Sequence, residues 1–224
     1  MFYNLFSIFD PSTSQNISLN WLSSMICMLI IPNSFWMIPS RYSMLVMKFI
    51  NMINLEMKNI LNNKFNNMNL LMLITLILMI MLNNFMGLFP FIFTSSSHLV
   101  FSMTFALILW FSMMIFGWLK NINFMFCHLN PLSTPYILMP FMILIESISN
   151  IIRPITLSVR LSANMIAGHL LLTLMSKDLI NFNKLMIYMI VILQIMLLLL
   201  ECAVSIIQSY VFTILITLYS KETN

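Results

Sequence analysis

Residues 184–219 read KLMIYMIVILQIMLLLLECAVSIIQSYVFTILITLY, and in that whole stretch only Lys184 and Glu201 carry charge. At about 1.5 Å of rise per residue, one helix of this length would measure about 50–60 Å, well beyond a hydrocarbon core about 30 Å thick. Residues 136–175 form a second run of comparable length. Two such helices fit a bilayer only by tilting strongly or by running partly along its plane. The composition agrees: 61% of the 224 residues are hydrophobic and 7% charged, where a soluble domain carries about 25% charged residues. The chain therefore reads as an all-α integral membrane protein, a single membrane domain over residues 1–224.

Upstream of the two long runs, residues 99–119 make a span closed by Lys120 and Asn121. Residues 70–93 make another, ending in Gly87 and Pro90 before the polar turn Thr94-Ser95-Ser96-Ser97-His98. Residues 18–38 give a shorter first span, interrupted at Pro32. The segment 39–69 is too polar to cross, with Arg41, Lys48, Lys58 and Lys64 set against Glu56. Its apolar residues Leu45, Phe49, Met52, Ile53 and Leu55 recur at near-helical spacing, which points to an amphipathic helix lying on the membrane surface. The expectation is thus about five transmembrane helices plus one surface helix. The basic 39–69 segment faces the compartment where the chain is made, and alternation returns Lys221-Glu222-Thr223-Asn224 to that side.

Other classes are excluded by what the chain lacks. Ten Lys and Arg against six Asp and Glu give a formal charge of +4, too dispersed for a nucleic-acid footprint. There is no phosphate loop, no helical His-Glu-x-x-His pattern and no repeat. Cys27, Cys127 and Cys202 lie far apart and are expected to pack as small hydrophobes rather than to form a disulfide or metal framework. The adjacent pair Cys127-His128 is too little for a metal site, so neither metal nor cofactor is expected. The N-terminus shows no secretory or import signal, as expected of a chain inserted from inside an organelle.

Charge within a span costs at least about 2.5–3.5 kcal/mol per ionised group, so Glu146, Arg153, Arg160, His169 and Glu201 each need a reason. On a helix, Glu146, Ser149, Arg153, Thr156, Arg160 and Asn164 share one stripe, while Ser158, Ser162, His169 and Thr173 point nearly the opposite way. The last run aligns Gln194, Glu201, Ser205 and Gln208 on one face. Hydroxyls and amides have an ordinary reading as polar links between helices. The acids and guanidinium do not, because apolar residues would pack there at lower cost. Arg160 keeps its proton at any accessible pH, whereas His169 and the carboxylates can exchange theirs. A fixed cation flanked by titratable groups reads as a proton path with an electrostatic barrier in it.

The run RPITLSVRLSANMIAGH over residues 153–169 resembles the signature of subunit a of F-type ATP synthase, and ECAVSIIQSYVF over 201–212 is similar to that family's final helix. The length and span layout match over the whole chain, most closely the mitochondrial form, and the Met-rich, Asn-rich composition resembles an insect-like organelle version. The first 130 residues match in layout rather than by signature. The resemblance implies that Arg160 is the essential arginine facing the proton-binding carboxylates of the rotating c-ring, with Asn164 one turn on. It implies that His169 and Glu201 line a half-channel open to the intermembrane space, with Gln208 beside the ring interface. It implies that Glu146 serves the matrix half-channel, and Glu222 falls where some relatives carry a second matrix-side acid. Arg153 stands where many relatives have a neutral residue; it either snorkels to the matrix interface or pairs with Glu146.

The function so implied is proton translocation by a stator subunit with two offset half-channels, non-catalytic itself and binding no nucleotide. Its partners would be the c-ring rotor, the peripheral stalk and other small membrane subunits of ATP synthase, and lipid, with no nucleic acid; its location would be the mitochondrial inner membrane, as a multi-pass protein. A proton-pumping or antiporter-like subunit of a respiratory complex is the alternative, although charged relays would then run through several spans. A passive scaffold would leave Arg160 and Glu201 without a reason.

Overall fold

The computed structural model describes residues 5–14, 17–32, 36–61, 67–89, 91–130, 135–178 and 184–223. Among them there are helices and no strands. In chain order they are α1 (Leu22–Ile26), α2 (Arg41–Leu61), α3 (Asn67–Gly87), α4 (Leu99–Lys120), α5 (Ile122–His128), α6 (Met139–Asp178) and α7 (Lys184–Thr223). Four of these, α3, α4, α6 and α7, are long and apolar enough to cross a membrane. The chain is a multi-pass, all-α membrane protein.

The N-terminal apolar stretch is shorter than a full span. Together with 3-10 turns on either side, α1 makes a helical segment from Leu19 to Ile30. It stops because Ile31 is extended, at φ −69° and ψ 121°, the conformation that a following proline imposes on the residue before it.

The packing is inverted relative to a soluble protein. Buried positions are rich in Ser, Thr and Asn, while Leu, Ile, Met and Phe cover much of the outside. Lipid solvates apolar side chains as well as a core does, so small residues that let helices approach closely occupy the interfaces. Helix α4 meets α6 where Ser102, Ala106 and Leu109 face Leu157, Ser158, Leu161 and Ser162. Helix α7 packs on α3 as well as on α2, α4 and α6, and its buried positions include Ser205, Ser209, Thr213, Ile216 and Thr217.

Most serine and threonine hydroxyls on the long helices bond within their own helix, and Ser158, 2.9 Å from Met103 Sδ on α4, also reaches a neighbour. Ser205, Ser209, Thr213, Thr217 and Ser220 each donate to a carbonyl three residues back on α7, at 2.7–2.9 Å. Ser149 and Thr173 do the same on α6. A hydroxyl satisfied by its own helix presents only a small, nearly apolar surface to the neighbour. These residues therefore act by size.

Helix α2 docks on the α3–α7 pair. Of the apolar residues read from its sequence only Ile53 is buried, and Met57 and Leu61 complete the buried stripe with Phe212 and Ile216 of α7. Leu45, Met52 and Leu55 stay exposed, as suits a helix with one flank on the protein and another toward lipid. The Tyr210 hydroxyl donates to Glu56 Oε2 at 2.9 Å and ties α2 to α7.

Two irregularities position the site. Pro154 lies inside α6, which continues through it. Between α3 and α4 the chain turns with Phe91 at φ 71° and a buried Thr94–Ser97 turn, where Ser97 Oγ donates to the Thr94 carbonyl at 2.7 Å. Gly87 ends α3 against that turn, and a Cβ there would lie 3.1 Å from Thr94 Cγ2. Cys27 is buried, but Cys127 is exposed and Cys202 only half-buried. Cys127 departs from the expected packing because α5 folds back outside the helix core.

Candidate functional site

Arg160 lies on the outward face of α6 and is exposed, with the exposed small residues Ala163 and Ala167 beyond it. Its turn-mates Ser158 and Ser162 point inward and are fully buried; Ser158 Oγ donates to the Ile155 carbonyl at 2.8 Å and lies 2.9 Å from Met103 Sδ on α4. The two polar directions of α6 are thus an inner packing face and an outer face with a guanidinium on it.

Glu201 is 9% exposed, on the side of α7 turned toward α6. It sits directly over Gly168. A Cβ added to Gly168 would stand 2.7 Å from both Cδ and Oε1 of Glu201, so only glycine leaves room for this carboxyl. A small cavity, with about 20 Å³ of space for water centres, opens between α3, α6 and α7. Asn84, Asn164, Gly168, Glu201, Ser205 and Gln208 are among its lining residues. That volume suits a water molecule or so. Neither oxygen of Glu201 has a hydrogen-bond partner among the described residues.

His169 is the neighbour of Gly168 but is not among the residues that line that cavity. Its ring meets Phe9 edge-on, with centroids 6.2 Å apart, and lies within hydrogen-bonding reach of the Gly87 backbone. Its Nε2 is buried without a partner. His169 and Glu201 therefore occupy adjoining sites without a direct hydrogen bond to each other.

Glu146 lies two turns before Arg153, and the two pair: Arg153 Nη2 donates to Glu146 Oε1 at 3.2 Å. The Arg153 guanidinium carbon also lies 5.2 Å from the centroid of Tyr219. Of the two expectations for Arg153, pairing is the one realised. A second cavity, with about 30 Å³ of space for water centres, adjoins this pair and is lined by Trp110, His128, Asn150, Arg153, Tyr219 and Thr223, with methionines between them. Glu222 stands near the end of α7, and its side chain lies outside the described residues. Among the described residues no group of three His, Cys, Asp or Glu could hold a metal ion.

The structure thus gathers Glu201, Asn164 and Gln208 around one cavity, with His169 behind it. It sets Glu146 and Arg153 at another cavity toward the start of α6, and leaves Arg160 on the outside between them. Two members of the first cluster were not singled out from the sequence. Asn84 could have been noticed as half of an Asn pair in an otherwise apolar run, and Gly168 as one of only three glycines in the chain.

Residues 3–221 match the family model described as ATP synthase A chain. The chain is 51% identical over 224 residues to "ATP synthase subunit a" of Drosophila yakuba, covering all of both chains. It is 52% identical over 226 residues to the protein of the same name from Anopheles quadrimaculatus, and 51% to that from Aedes aegypti, again over the full length of each. Signature, span layout and full-length similarity agree, and the chain belongs to the ATP synthase A chain family.

Proposed function

We propose that this chain is the proton-translocating stator subunit of an F-type ATP synthase in the mitochondrial inner membrane, facing the c-ring rotor with α6 and α7. The observation that carries the reading is the separation of charges. Glu201 lies in one cavity, Glu146 with Arg153 adjoins another nearer the start of α6, and Arg160 is exposed on the same helix between them. The 22 residues from Glu146 to Gly168, against which Glu201 sits, span about 33 Å at helical rise, so the acids serve different depths of the membrane.

In this reading a proton reaches Glu201 from the intermembrane space by way of His169 and moves on to a rotor carboxylate beside Asn164 and Gln208. The rotor acid, now neutral, can turn into lipid at far lower cost than its anion. After nearly a full turn it meets the matrix half-channel, where Glu146 takes the proton, with Glu222 a second acid near the matrix exit. Arg160 attracts the ionised rotor carboxylate and cannot itself hand on a proton, so it closes the direct route between the half-channels. Ala163 and Ala167 keep the surface around it low. A membrane potential supplies about 2.3 kcal/mol per charge per 100 mV, which several protons sum into one synthesis step.

The test is ATP-driven proton pumping in membranes whose complexes carry Arg160→Gln and retain their rotor. Abolished pumping is the expected result; near-normal pumping would remove Arg160 from the mechanism. Pumping independent of the rotor would favour a respiratory-type pump instead.

A further inference from the structure

Nine buried side-chain polar atoms among the described residues lack a hydrogen-bond partner, and seven belong to six residues of one region. They are Asn83 Nδ2, Asn84 Oδ1, Ser96 Oγ, His98 Nε2, His169 Nε2 and both oxygens of Glu201. Their positions are contiguous. His98 closes the Thr94–Ser97 turn, its backbone N–H donating to the Ser95 carbonyl at 3.2 Å. Thr94 packs on Gly87, the Gly87 backbone lies at the His169 ring, and Asn84 shares the cavity with Glu201. An unpaired buried polar atom costs about 1–3 kcal/mol, so a connected set of them marks a place that water enters.

His98 is the titratable member of the set that lies on the turn between α3 and α4. Its ring is held between Trp21 and Phe93, each with its centroid 5.2 Å away. The other titratable groups of the set are His169, at the Gly87 backbone on which Thr94 of the same turn packs, and Glu201, in the cavity it shares with Asn84. At the surface beside Trp21, Asn20 Nδ2 donates to the Asp10 carbonyl. The Asp10 carboxyl accepts from both the Ser12 backbone and hydroxyl, which hold it below the usual carboxylate range and keep a negative charge near this face.

We infer that His98 is the outer proton acceptor of the inlet, passing protons along waters ordered by Ser96, Asn83 and Asn84 to His169 and Glu201. The inference rests on the half-channel reading given above. One ring nitrogen of His98 takes a proton from the outer solution while the other releases one inward. Ser96 and the two asparagines change no protonation state; they orient waters, each of which gains one proton as it gives up another. Nothing is oxidised or reduced.

The experiment is ATP synthesis by mitoplasts, whose outer face is the intermembrane-space side, with rates expressed per assembled complex. His98→Gln should synthesise at least threefold more slowly than wild type in weak external buffer. Added external imidazole should restore most of that rate and leave wild type unchanged, a rescue that a purely packing role would not show. An unaltered rate, or a loss that imidazole does not relieve, overturns the inference. If His98→Gln does not assemble, His98→Asn carries the same expectations. Glu201→Gln serves as the reference: if it synthesises normally, the half-channel reading fails, whereas a block at Glu201→Gln with normal His98→Gln removes only the role of His98.

Discussion

Gly168→Ala puts one methyl group into the tightest contact of the site. The new carbon would stand 2.7 Å from Cδ and Oε1 of Glu201, where ordinary contact begins at 3.4 Å. The carboxyl must therefore retreat by about 0.7 Å, or α6 and α7 must separate by a similar amount. Overpacking of this size costs about 1–3 kcal/mol, and the better helix propensity of Ala over Gly returns about 1 kcal/mol, so the complex should still assemble. Function is less forgiving, because a displacement of about 1 Å in a transfer geometry costs up to about a hundredfold in rate. We expect at least a tenfold fall in ATP-driven proton pumping in vesicles with normal amounts of assembled complex. Adding Glu201→Asp shortens the side chain by one methylene and should recover part of the loss. Normal pumping in Gly168→Ala, or a double variant no better than the single one, would refute the argument that Gly168 exists to seat the carboxyl.

Three further experiments probe other parts of the structure. Ser162→Leu forces a large side chain into the buried α4–α6 seam, and native gels should show loss of assembled complex rather than an assembled but inactive one. Arg153→Gln and Glu146→Gln should couple in a double-mutant cycle on thermal stability by about 1 kcal/mol or less, since the pair is partly exposed; strict additivity would argue that the pair is not formed. Tyr210→Phe removes the hydrogen bond to Glu56 at an exposed position and should lower stability by no more than about 1 kcal/mol, leaving proton pumping unchanged; a large activity loss would give that bond a role beyond docking α2.

The helices were legible in the sequence because charge is so sparse that its few positions mark the boundaries. The opposed directions of Arg160 and Ser158 also followed from helical geometry alone, and the structure places one outside and the other inside. Tertiary distances were not legible. Asn84 lies 117 residues before Glu201, and no periodicity links them; the demand for glycine at 168 depends on how closely α7 passes. Arg153 had two open fates because the choice turns on whether its environment favours an ion pair and the Tyr219 ring over the membrane interface. The burial of Met57 and Leu61 on α2 was not legible, because both flanks of that helix are apolar and sequence alone does not say which one meets protein.

Pro154 has no N–H to offer the carbonyl of Asn150, four residues earlier on α6, and Asn150 lines the cavity beside the Glu146–Arg153 pair. One rung of the helix is therefore missing at the C-terminal end of the stretch the ion pair spans, about a turn and a half before Arg160. A beam with a missing rung bends there first. In the proposed reading, a ring of carboxylates passing α6 would load it at Arg160, beyond that missing rung. Pro154 thus divides one continuous helix into an arm that holds the Glu146–Arg153 pair and an arm that carries Arg160.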